Sequence, residues 1–148
     1  MAFDLDRIDG TPALPLLRSA DVSVRGDEAM IELRLSAEHD IELYFPAPGG
    51  AVEAAWLELA ADVLAHLTAI DNEVQRVNAE QWAGSPYPSS YYEGELAYIT
   101  LTEAGGVVLR YFVIGCNSEW DERFVRTGGR WVRVADAEPG AAADRGRL

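Results

Sequence analysis

The stretch VEAAWLELAADVLAHLTAIDNEVQRV, residues 52–77, decides the fold. Val52, Trp56, Leu59, Val63, Leu67, Ile70, Val74 and Val77 recur at spacings of three and four, and at 100° per residue they fall within an arc of about 80°. The stripe keeps its phase through Asp71 and Asn72, which predicts one long helix of roughly 26 residues and ~39 Å. Gly84 and Pro86 stop it.

On the N-terminal side the period changes from 3.6 to 2. Ala20, Val22 and Val24 alternate with polar residues, Gly26 and Asp27 offer a turn, and Ala29, Ile31, Leu33 and Leu35 alternate again. A second turn near 38–40 leads to Ile41, Leu43 and Phe45, and Pro46, Pro48, Gly49 and Gly50 close this unit. On the C-terminal side, strands over 95–101 and 107–114 flank a Gly-containing turn, and strands over 120–125 and 131–134 flank another. The predicted order is β-β-β-α-β-β-β-β. That is an α+β fold of two layers, an antiparallel sheet of about six to seven strands packed on one long helix. Residues 1–135 read as a single domain and 136–148 as a flexible tail. The order lacks strand-helix alternation, and no Gly-rich phosphate loop follows a strand, which excludes the common nucleotide-binding α/β enzymes.

The chain has 148 residues, enough for one core, and its 49% hydrophobic content is that of a globular protein. Its 25 Asp and Glu face 12 Arg and no Lys, a net charge of −13. Counting to Glu103 gives 19 acidic residues and five Arg; the remainder holds six acidic residues and seven Arg, so the excess lies entirely in the first part. Such a charge opposes binding to nucleic acid or an anionic membrane and complements a basic partner. Asp4, Asp6 and Asp9 stand where a secretory signal would need basic and apolar residues, and no apolar run is long enough to span a membrane, so the expected compartment is the cytoplasm. One Cys and two His leave too few ligands for a protein-held zinc site, and no cofactor motif is present.

Candidate chemistry is sparse. His66 follows Asp62 by four residues and can pair with it across a helical turn, and His39 falls in a predicted hairpin turn. Cys116 would need a base to become a nucleophile. Glu93 and Glu95 would share a face of a strand, whereas Asp121 and Glu122 would point to opposite faces. The least generic segment is 84–94, GSPYPSSYYEG, a loop by composition that nevertheless holds Tyr87, Tyr91 and Tyr92. Tyrosines supply interface area at little entropic cost, and they can also cover a helix end near Trp82.

The stretch GCNSEWDERFVRTGGRWVRV, residues 115–134, carries Asn117, Glu119-Trp120, Phe124, Gly128-Gly129 and Trp131. In this pattern it resembles the ending of several families of small acidic bacterial proteins, among them uncharacterised proteins and immunity proteins of polymorphic toxin systems. The resemblance implies a cytoplasmic protein that binds and blocks a cognate toxin, often through an acidic surface, and it brings no catalytic residues with it.

The reading is therefore a non-enzymatic binding module for a basic protein such as a toxin. Its expected contact residues are Tyr87, Tyr91, Tyr92, Glu93 and Glu95, with Glu58, Asp62 and Glu73 on the helix. Two alternatives stay open: a small hydrolase or ligand-binding enzyme using Glu93, Glu95 or Cys116 near the Tyr-rich loop, and a structural protein that forms a homodimer or larger homo-oligomer.

Overall fold

The computed structural model describes residues 13–36 and 39–135. The expected tail at 136–148 and the opening aspartates lie outside them. Seven strands form one sheet whose spatial order follows the chain: β1 (Ser23–Arg25), β2 (Glu28–Ser36), β3 (His39–Pro46), β4 (Glu95–Glu103), β5 (Gly106–Val113), β6 (Ser118–Thr127) and β7 (Arg130–Arg133). Helices α2 (Ala54–Ala65) and α3 (Leu67–Gln81) lie between β3 and β4 in the chain, and a short helix, α1 (Leu14–Ser19), packs against α2.

The sheet is mixed, which corrects the antiparallel expectation. Glu42, Leu43 and Tyr44 of β3 run parallel to Tyr98, Ile99 and Thr100 of β4, whereas the other five neighbouring pairs are antiparallel. The cause is the helical crossover. A tight turn reverses a strand, but a connection of this length carries the chain back across the sheet, so the next strand starts where the previous one did.

The single long helix is also corrected. At His66 the backbone leaves helical geometry (φ −112°, ψ 8°), and its N–H bonds to Val63 O at 3.1 Å, one residue short of the helical partner. That partner, Asp62 O, is taken instead by the His66 ring, with Nδ1 at 2.8 Å. A carbonyl only accepts, so Nδ1 carries the proton. The break divides the stripe between two helices, although Val63 before it and Leu67, Ile70 and Val74 after it are all buried. In α2 the buried residues are Leu57, Ala60, Val63 and Leu64, with Trp56 and Leu59 at the margin, and Val52 lies outside the helix and exposed. In α3 they are Leu67, Ile70, Val74 and Asn78.

These faces meet the inward side of the sheet, where Ile31, Leu33, Ile41, Leu43, Ile99 and Leu109 are fully buried. Tyr111 and Trp120 stack within the same core, rings 5.3 Å apart and 15° from parallel. A polar row on α3 fixes the register of helix on sheet. Asp71, Gln75 and Asn78, at spacings of four and three, share one side of the helix. Asp71 accepts the Tyr111 hydroxyl at 2.7 Å, and Gln75 Nε2 donates to Gly94 O at 3.0 Å. Asn78 Nδ2 donates to Tyr92 O at 2.7 Å. Burial first, and then the Asp71 charge, push the Tyr111 hydroxyl far above its ordinary range, so it remains a donor.

Candidate interaction surfaces

The tyrosines of 84–94 assemble at the C-terminal end of α3. Trp82 stacks on Tyr92 at 5.2 Å and 8°, meets Tyr87 edge to face at 6.4 Å, and Tyr87 meets Tyr91 likewise at 5.8 Å. Trp82 and Tyr92 are half-buried over the helix end, while Tyr87 is 56% and Tyr91 39% exposed. Trp82 and Tyr92 thus cover the helix end, and Tyr87 and Tyr91 are the rings left open to solvent. The segment is well anchored. A 3-10 turn at Ser89–Tyr91 closes with Tyr92 N–H and Glu93 N–H both on Ser89 O, and Asn78 holds Tyr92 from the helix. Gly115 lets the two loops touch, because a Cβ there would lie 2.1 Å from Ser90 O.

Beside the rings, Glu93 and Glu95 line a cleft of about 670 Å³ together with Gln75, Asn78, Ser90 and Tyr92. Tyr92, Glu93 and Glu95 are therefore brought together. Glu58, Asp62 and Glu73 lie apart from them on the helices. Glu58 lines a groove of about 390 Å³ with Trp56, Leu59 and Arg126. Asp62 is engaged inward: Trp131 Nε1 donates to its Oδ2 at 2.8 Å and Arg126 Nε lies 3.4 Å from the same oxygen. Glu73 is held by both forks of Arg76, at 2.7 and 3.1 Å, and that guanidinium keeps its carboxyl below the ordinary value.

The sheet has a second face, which carries no helix among the described residues. Its outward residues pair across strands into a row, Glu32–Glu42–Tyr98–Arg110–Asp121, that crosses β2 to β6. Two adjoining clefts occupy it, about 500 Å³ around Tyr44 and Thr100 and about 400 Å³ around Glu32 and Glu42. Tyr44 and Tyr98 meet edge to face at 5.8 Å, and the Tyr44 hydroxyl donates to Glu42, a bond that pushes its pKa to about 12. Arg110 grips Asp121 with two bonds of 2.8 and 3.2 Å, and this raises its pKa further. Sequence reasoning missed this row. The alternation names the outward residues of each strand, but the register that aligns β3 with β4 is set by the crossover, which leaves no local signal.

The sequence candidates for chemistry are placed as follows. His39 opens β3 instead of lying in a turn, and its Nε2 donates to Leu96 O at 2.6 Å. Cys116 Sγ lies 3.5 Å from Tyr91 O. Asp121 is on the open face, while Glu122 points into the core, where Arg133 Nε and Trp120 Nε1 donate to it at 2.7 and 3.1 Å. Among the described residues no three His, Cys, Asp or Glu side chains are grouped so as to hold a metal ion, and no helix is long and apolar enough to cross a membrane. No family model, curated protein or solved structure matches the chain.

Proposed function

We propose that this chain is a non-enzymatic binding module for a basic protein, acting in the cytoplasm as an immunity protein that blocks a toxin by covering its working site. The observation that carries the reading is the chain of four rings at the end of α3, whose inner members are packed and whose outer members, Tyr87 and Tyr91, face solvent beside Glu93. Rigid, exposed aromatics lose little entropy on docking and are enriched among the residues that dominate binding energy. Carboxylates at the rim speed encounter with a cationic surface and select for it. The net charge of −13 extends the attraction over the molecule.

The test is recovery of the partner from the chain's own cell with tagged wild type and with Tyr87→Ala/Tyr91→Ala. Wild type is expected to retain a basic protein and to suppress its activity at one-to-one stoichiometry. The double variant, losing ~2 kcal/mol or more, binds at least about 30-fold more weakly. A wild-type chain that recovers no basic protein, or one that binds equally well without these rings, refutes the reading.

A further inference from the structure

The clefts on the open face and the cleft beside the rings are joined. Glu95 lines both the cleft next to Tyr92 and the one around Glu32 and Glu42, and Tyr98 lines both the latter and the one around Tyr44 and Thr100. The three therefore run in sequence from the aromatic end along the strands of the open face. On β4 this path goes from Glu95 to Thr102, seven residue steps and ~23 Å, the reach of about seven residues of extended chain.

Charge along this path is arranged against the fold's own stability. Glu32 and Glu42 stand directly opposite each other on neighbouring strands, a like-charge pair that costs stability. Among the described residues, neither they nor Glu28, Glu93 and Glu95 have a cation within 4 Å. Tyr44 and Tyr98 line the clefts beside these carboxylates, and aromatic rings suit a guanidinium or ammonium group. A second feature points the same way. Asn78, in the wall of the cleft beside the rings, is 2% exposed, and its Oδ1 has no hydrogen-bond partner. The amide cannot be turned round, because Nδ2 must face Tyr92 O, so the group left over is an acceptor for an N–H donor.

We propose that these clefts form one groove that receives an extended, arginine- or lysine-bearing segment of the partner. Cationic side chains would meet Glu93 and Glu95 near Asn78, and Glu42, Glu32 and Glu28 further along. A second copy of this chain is disfavoured as occupant because it would bring the same carboxylates to the same place. The proposal rests on the basic-partner reading and adds to the aromatic anchor a track that reads the partner's charge spacing.

The probe is a capped seven-residue peptide alternating arginine and alanine, with a control in which glutamine replaces each arginine, titrated into the ¹⁵N-labelled full chain. The expected result is amide shifts confined to the outward positions of β2–β6 and to 92–95, absent with the control peptide. Glu32→Gln/Glu42→Gln should weaken binding at least 10-fold while raising Tm, since it removes a repulsive pair. Glu53→Gln/Glu80→Gln, with the same charge change on the helical side, should weaken it less than 2-fold. Equal loss in the two double variants, or shifts spread over the helices, overturns the groove. The outcomes separate the two proposals. If the cellular partner is lost with Tyr87→Ala/Tyr91→Ala but unaffected by Glu32→Gln/Glu42→Gln, the groove fails and the aromatic reading stands. If the peptide maps to the groove and no basic protein is recovered from the cell, the reverse holds.

Discussion

Tyr44 and Glu42 sit two residues apart on the outward side of β3, and one hydrogen bond controls how Tyr44 titrates. Its pKa is raised to about 12, first because the hydroxyl donates to Glu42, then by burial and by the Glu42 charge. A raised pKa means that the fold prefers the protonated form. The stability this contributes is fully present below pH ~10 and is lost as pH rises through about 12. With Glu42→Gln, the Tyr44 midpoint, followed by the ¹³C shift of Cζ, should fall toward 10; a midpoint that stays put would place the cause in burial alone. On the inward side, Glu122 is 3% exposed and depends on Arg133. Arg133→Met leaves that carboxylate buried without its cation and should cost about 3 kcal/mol in urea denaturation, and Glu122→Leu/Arg133→Met together much less. Equal losses in the single and double variants would show that the pair itself, and not the stranded charge, carries the stability. At this scale the sequence is half legible: alternation puts Asp121 and Glu122 on opposite faces, but it does not say that the inward one is a carboxylate matched to an arginine 11 residues on.

The elements divide in the same way. The alternation of Ile31 and Leu33 and of Ile41, Leu43 and Phe45 is explicit in the sequence, and all five are buried. The helical period around Val63, Leu67, Ile70 and Val74 is equally plain, and so is their burial. What the period conceals is the break at His66, because an eight-residue stripe that stays in phase says nothing about a side chain that replaces a backbone donor. The parallel junction of β3 with β4 is hidden for a related reason: local patterns fix hairpins, whereas a crossover is decided by length and by packing over the whole sheet. Asp62 lies at the junction of these effects, tying α2 to Trp131 on β7 and Arg126 on β6. Asp62→Ala removes both ties and should cost about 1–2 kcal/mol. Amide exchange should quicken in β7 and the adjoining end of β6 and stay unchanged in β4 and β5. Uniform quickening over the sheet would mean that Asp62 supports the fold globally and not this corner.

At the scale of the molecule the balance of charge sets up opposite responses to salt. Close ion pairs such as Arg34–Asp40, Arg76–Glu80 and Arg110–Asp121 join side chains that are roughly half-exposed, and each contributes little. Screening removes little from them, because it acts weakly at contact distance. The repulsion among the remaining carboxylates, from Glu28 to Glu95, acts over tens of ångströms and is the part that salt suppresses most, as the Debye length shrinks from about 30 Å at 0.01 M to about 7 Å at 0.2 M. Repulsion should therefore dominate, and over that range stability should rise by about 1–2 kcal/mol, a Tm increase of about 3–6 °C. Binding of a cationic partner should weaken over the same range, since the field that opposes folding is the field that attracts the partner. Thermal melts and titrations in one salt series measure both. If Tm falls with added salt, the ion pairs outweigh the repulsion, and the carboxylates along the groove are less strained by one another than their spacing implies. If Tm rises while binding is insensitive to salt, docking depends on the rings at the end of α3 and not on charge. A rise in one and a fall in the other would tie the acidity of this chain to its partner, as stability given up in the free protein and regained when a cation enters the groove.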